Sequence, residues 1–246
     1  MATGDHVIRL AVWSGPRNIS TALMRSWENR PDTVVVDEPL YAHYLEVTGL
    51  DHPGRDEVIV AGETDWRTVV ATLLGPVPGG ARVFYQKHMT HHLVPGIERG
   101  WVGSLTNVML IRDPREVVAS YVRSRADVTA EDLGLPQQVR LYDELVAAGT
   151  PPPVIDARDF LLRPEPHLRA MCRHAGVDFS PRMLSWPPGP RESDGVWGRY
   201  WYEAVWSSTL FAEYRPRQPR LDGRAAVVAE ECLPMYERLH EARWQL

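Results

Sequence analysis

Apolar residues gather in short runs that alternate with stretches of helical spacing. The runs at 8–13, 33–36, 82–86 and 107–111 are short and rich in Val, Ile and Leu, as buried strands are, and 153–156 is a weaker fifth. Helical patterns are predicted over 18–29, 65–74, 114–125, 136–148 and 225–242. The third of these starts with Asp113, Pro114 and Glu116 in the N-cap, N1 and N3 positions, and the fourth opens on Pro136 and stops before Gly149. In the last, Val228, Leu233, Tyr236 and Leu239 face inward and Pro234 marks a kink or break. Strands alternating with helices predict an α/β fold, with a central, mostly parallel sheet flanked by helices in three layers. The Pro- and Gly-rich stretches at 75–80, 150–153 and 187–190 read as loops, so 1–246 is taken as a single domain.

Ligands of such sheets bind beyond the carboxyl ends of the strands, and four polar segments converge there: 14–21, 37–39, 87–92 and 112–120. The first, Ser14-Gly15-Pro16-Arg17-Asn18-Ile19-Ser20-Thr21, reads as strand, tight turn and helix start. Such a turn aims backbone N–H groups and a helix N-terminus at one spot, where an anion is favoured. Arg17 adds a fixed charge and Ser20 and Thr21 add hydroxyl donors. A Walker A loop would need a second Gly followed by Lys, and neither is present.

Composition narrows the partners. A net charge of -5 argues against a nucleic-acid or anionic-membrane surface and points to a small-molecule partner. Cys172 and Cys232 lack metal-ligand spacing and suit a reducing cytoplasm. The first ten residues carry Asp5 and His6 where a leader would be basic, and no apolar run long enough to span a membrane follows, so a cytoplasmic location is expected. Oligomeric state leaves no mark in the sequence.

The segment Arg112-Asp113-Pro114-Arg115-Glu116-Val117-Val118-Ala119-Ser120 leaves the fourth strand and enters a helix. Arg112 at the strand end and Ser120 two turns on could reach one phosphate; as plain structure, Asp113-Pro114 caps a helix and Arg112 pairs with a surface carboxylate.

The loop and this Arg…Ser pair together resemble the two donor-binding motifs of the sulfotransferase superfamily, in the same order and over residues 8–125. The resemblance implies a P-loop-like fold that holds 3′-phosphoadenosine 5′-phosphosulfate as co-substrate, with no metal. It places Gly15, Pro16, Arg17, Asn18, Ile19, Ser20 and Thr21 at the 5′-phosphosulfate and Arg112 and Ser120 at the 3′-phosphate. Arg17 stands where cytosolic hormone-type members carry Lys, which exchanges a compact ammonium for a bidentate fork.

Val34-Val35-Val36-Asp37-Glu38-Pro39 has three readings: a Walker-B-like run supporting a kinase, a buried strand with a charged exit, or a match to the Glu-Pro of carbohydrate-type sulfotransferases, which makes Glu38 a candidate base. Tyr85-Gln86-Lys87-His88-Met89-Thr90-His91-His92 resembles, in a shifted register, the Lys-x-His segment of cytosolic members. His88 is then a second candidate base and Lys87 a stabiliser of the leaving phosphate. Plain alternatives are a surface His cluster or a metal site from His88, His91 and His92. The aromatics at 186–206 read mainly as core, with Arg191 and Arg199 as candidates to close over the nucleotide; Arg199 is counted with the donor-binding residues. The expected activity is therefore sulfuryl transfer to a hydroxyl of a small organic acceptor. A nucleotide-dependent kinase and a non-catalytic sulfonucleotide-binding module are the alternatives.

Overall fold

Each central strand is apolar on both sides because both sides are covered. In β1 (Ile8–Ser14), Leu10 and Val12 turn into one core while Ala11 and Trp13 turn into the other. The same alternation divides β2 (Thr33–Asp37), β3 (Val83–Met89), β4 (Thr106–Ile111) and β5 (Val154–Asp156). These relations come from a computed structural model that describes residues 7–123, 127–216 and 219–246. Among the described residues the strands form one sheet in the order β2-β3-β1-β4-β5, every pair parallel.

The first helices along the chain are α1 (Ser20–Glu28), α2 (Tyr41–Thr48), α3 (Arg55–Ala61), α4 (Trp66–Leu74) and α5 (Pro114–Tyr121). After them come α6 (Ala130–Leu133), α7 (Leu135–Ala147), α8 (Ala157–Leu162), α9 (Pro164–Ala175), α10 (Gly198–Trp201), α11 (Glu203–Trp206) and α12 (Gly223–Glu241). One core is built by α1, α8 and α9 through Trp27, Phe160 and Met171, and the other by α2 to α7 with α12. The expected α/β architecture, helices on both faces of a parallel sheet, is therefore present.

Boundaries moved in instructive ways. The first helix starts at Ser20 and not at 18, because Arg17, at φ 55, still belongs to the turn. β3 runs on past the apolar run at 82–86 through Lys87, His88 and Met89, because the two polar side chains, Lys87 and His88, find partners inside. The helix predicted over 114–125 ends at Tyr121, and its predicted end at Arg125 lies outside the described residues, as do Asp5 and His6. α12 carries Pro234 within it and continues. No helix among the described residues is long and apolar enough to cross a membrane.

Candidate functional site

The order of strands lays four exits side by side along one edge: 37–38 after β2, 89–92 after β3, 14–19 after β1 and 112–113 after β4. Adjacent exits lie about 5 Å apart, so the segments can serve one ligand. A cavity of about 760 Å³ opens over them, within the usual range for small-molecule sites.

At its β1–β4 end the backbone itself is prepared. Gly15 packs so closely that an added Cβ would lie 2.2 Å from the carbonyl oxygen of Leu133. Asn18 fixes the turn by donating to the Leu110 carbonyl at 3.1 Å. No side chain caps the N-terminus of α1, in contrast to α5, where the Asp113 carboxylate accepts from the Arg115 N–H at 2.8 Å. An uncapped first turn leaves N–H donors facing the space lined by Pro16, Asn18, Ile19, Ser20 and Thr21.

Arg17 donates from Nε to Ser120 Oγ at 3.0 Å, and Arg112 donates to the Arg17 carbonyl at 3.1 Å. The two sequence motifs, a hundred residues apart in the chain, thus meet in one hydrogen-bonded group. Burial, followed by the neighbouring charges of Arg123 and Arg112, lowers the Arg17 guanidinium from its ordinary value. Such crowding of cations is relieved by a bound anion. Arg112 also pairs with Glu116 at 2.7 Å, and Tyr214 donates to the same carboxylate at 3.2 Å, so an arriving phosphate must compete with Glu116.

At the β2–β3 end the pattern is different. The Lys87 ammonium is buried and donates to Asp37 at 2.7 Å, to Glu38 at 2.6 Å and to the Tyr202 hydroxyl at 2.8 Å. The Tyr202 hydroxyl donates to the second oxygen of Asp37 at 2.7 Å and accepts from the Trp197 indole at 3.0 Å. Burial would lower the Lys87 ammonium, yet Asp37 and Glu38 raise it above its ordinary value, so it stays charged. Burial raises the Glu38 carboxyl; Lys87 opposes this, Asp37 adds to it, and the net direction is upward. That is the behaviour wanted of a base.

Two of the expected roles change here. All three protons of Lys87 are engaged, which leaves none for a leaving phosphate, so its place is to hold Glu38. His88 does not reach the cavity. Neighbours in a strand point to opposite faces, and with Lys87 turned to the cavity His88 lies in the other core, stacked on Trp13 at 4.1 Å and bonded to Gln86 at 3.2 Å. Burial holds it at about 3. The same divergence separates His88 from His91 and His92, which do line the cavity, so the three do not gather as a metal site. Arg199 also stands off, paired with Glu57 on the surface beside Tyr200. Arg191 is taken by Glu28 at 2.8 Å, within a network in which Arg25 grips Asp194 and anchors the 187–207 segment to α1.

Sequence reasoning missed Tyr202, Tyr41 and Trp201 as lining residues, since each partner is distant in the chain and only an aromatic-rich stretch announced two of them. Backbone strain singles out the two ends together. Among the described residues, the non-glycine positions with positive φ are Arg17 at 55° and Glu38 at 42°. Such conformations cost about 1–3 kcal/mol each and concentrate where a site over-determines the backbone.

The sequence model of the family described as "Sulfotransferase domain" matches residues 8–243. Two Arabidopsis thaliana proteins described as branched-chain-amino-acid aminotransferase-like proteins 1 and 2 are 37% and 34% identical over 227 residues, which is 92% of this chain. The chain spans 40% of the length of these relatives. Among solved structures, the sulfotransferase domain of the Synechococcus PCC 7002 olefin synthase superposes with a TM-score of 0.50 at 14% identity, covering 98% of this chain and 96% of that one. A sulfotransferase from Alicyclobacillus acidocaldarius gives 0.50 at 15%, covering 72% and 87%. At such identities the two structures speak to the fold.

Proposed function

Because the chain belongs to the sulfotransferase domain family, we propose that it transfers a sulfuryl group from 3′-phosphoadenosine 5′-phosphosulfate to the hydroxyl of a small organic acceptor. The observation that carries this reading is the pairing, in one cavity, of an anion seat made by Arg17, Ser120 and the open α1 N-terminus with a carboxylate held by a buried lysine.

The 3′-phosphate is assigned to Arg112 and Ser120 and the 5′ end to the turn 15–19 and the first N–H groups of α1. Sulfuryl transfer resembles phosphoryl transfer: the acceptor oxygen attacks in line, the bond from sulfur to the phosphate oxygen breaks, and charge grows on the departing phosphate. Arg17 and the α1 amides are aimed at that charge, each such donor being worth about 2–4 kcal/mol. The acceptor proton goes to Glu38, whose second oxygen is not bonded to Lys87. General-base assistance of this kind contributes about 10²–10⁴ in rate.

The kinase alternative needs a strand-end carboxylate to serve magnesium. Asp37 stands in that position, but its two oxygens are taken by Lys87 and Tyr202. Calorimetry separates the readings. The desulfated product 3′,5′-adenosine bisphosphate is expected to bind without magnesium, and labelled sulfuryl is expected to pass from donor to an alcohol. Binding of magnesium-ATP in its place would support the kinase, and donor binding without transfer would support a non-catalytic module.

A further inference from the structure

Among the described residues, the β2–β3 end of the cavity offers no cation to a ligand. Lys87 spends its three protons on Asp37, Glu38 and Tyr202, and with Glu38 ionised, the form a base must have before transfer, the lysine and its two carboxylates carry one net negative charge. His92 lies beside this group, Nε2 4.0 Å from Glu38, with its ring stacked on Tyr41 at 4.8 Å. Burial holds His91 at about 3 and pushes His92 well below the ordinary histidine value, so both imidazoles face the cavity neutral. Among the described residues, the guanidiniums lining the cavity are Arg17, Arg112 and Arg215. Arg17 is on Ser120, Arg112 is on Glu116, and Arg215 follows Tyr214, which is bonded to Glu116 as well. Among the described residues, the usable positive charge therefore lies at the donor end.

We infer that the acceptor is an alcohol with a flat apolar body and no negative charge, and that hydroxy acids and phosphorylated alcohols are refused. The inference rests on the transfer reaction proposed above and adds what the acceptor must be. The rings of Tyr41, Trp201 and Tyr202 supply the apolar walls. An acceptor carboxylate would lose its hydration and meet Glu38 with no counter-ion, so both desolvation and like-charge repulsion act against it. The same arrangement helps the product to leave. Transfer gives the alcohol oxygen a bond to sulfur and its proton to Glu38, and the sulfate ester formed carries a negative charge that the alcohol lacked. Once Glu38 has released that proton, the wall regains its negative charge and repels the product.

The test uses the full chain saturated with 3′,5′-adenosine bisphosphate and titrated calorimetrically with three probes of one shape: 4-methylbenzyl alcohol, 4-(aminomethyl)benzyl alcohol and 4-(hydroxymethyl)benzoate. The neutral and ammonium probes are expected to bind, the carboxylate about tenfold or more weakly. Glu38→Gln, which keeps the shape and removes the charge, is expected to narrow that gap. Equal binding of the carboxylate, a gap unchanged in Glu38→Gln, or no binding of the first two probes overturns the inference. If the bisphosphate itself does not bind, the transfer reading falls with it; if it binds and the probes fail to sort by charge, this inference falls alone.

Discussion

At the β4–β1 end of the cavity the charged groups are guanidiniums gathered around a helix N-terminus that nothing caps, whereas at the β3–β2 end they are two carboxylates closed around one buried ammonium. The first arrangement is incomplete, with donors and positive charge in excess, and it is made whole by an anion from outside. The second is nearly complete in itself, with Lys87, Asp37 and Tyr202 satisfying one another and a single carboxylate oxygen of Glu38 left over. The difference teaches how to read the parts: an unsatisfied group of donors marks where a ligand binds, and a satisfied network marks where a reactive group is held still.

The comparison is broken most sharply at Glu38. Glu38→Gln is expected to lower turnover by about 10²–10⁴ while leaving bisphosphate binding unchanged, as followed by labelled sulfuryl transfer beside calorimetry. Normal turnover would remove Glu38 as the base. The pH profile carries a sign as well. With its carboxyl raised above the ordinary glutamate value, Glu38 takes up a proton as pH falls through that raised value, so the acid limb of kcat lies above the ordinary glutamate value and disappears in the variant.

Lys87→Met leaves Asp37 and Glu38 buried without their counter-ion. A loss of about 3–5 kcal/mol in unfolding free energy is expected, measured by urea denaturation at pH 7. Stability close to that of the unmodified chain would show that the ammonium does not hold the pair. At the other end the effect falls on binding alone. Arg17→Gly removes the guanidinium without straining a backbone already at positive φ, and it is expected to weaken the bisphosphate by about 1.5–3 kcal/mol with little change in stability. Unchanged affinity would dissociate Arg17 from the anion seat.

These two ends were unequally legible in the sequence. The turn at 14–21 and the helix start at Asp113-Pro114 are local devices, written in consecutive residues by glycine, proline and capping chemistry, and they could be read from the chain alone. The Lys87 group draws on residues 50 and 115 positions away, and no local signal announces it. His88 was misplaced for a related reason. The apolar run stops at 86 because Lys87 and His88 are not apolar, and only with β3 continued through Met89 does its alternation send the two side chains to opposite faces. The parallel sheet itself was legible, since strands covered on both faces are apolar throughout; the exact ends of helices were not, since they depend on what caps them.

The smallest effect expected sharpens the same point. His88→Phe keeps the stack on Trp13 and should leave turnover at pH 7 unchanged, because the residue is packed on Trp13 and does not line the cavity. It should, however, alter the response to acid. The folded protein holds His88 neutral down to about 3, while the unfolded chain protonates it below 6.5. Between those values falling pH favours unfolding by about 1.4 kcal/mol per pH unit for each such histidine. Urea denaturation at stepped pH should show a shallower slope in the variant, and an equal slope would place His88 in contact with solvent.

The measurement that tests the account most directly is a crystal structure with 3′,5′-adenosine bisphosphate bound. The 3′-phosphate should lie on Arg112 and Ser120 and the 5′-phosphate against the α1 N-terminus and Arg17, its free oxygen directed toward Glu38. A nucleotide bound elsewhere, or one whose 5′ end points away from Glu38, would contradict it.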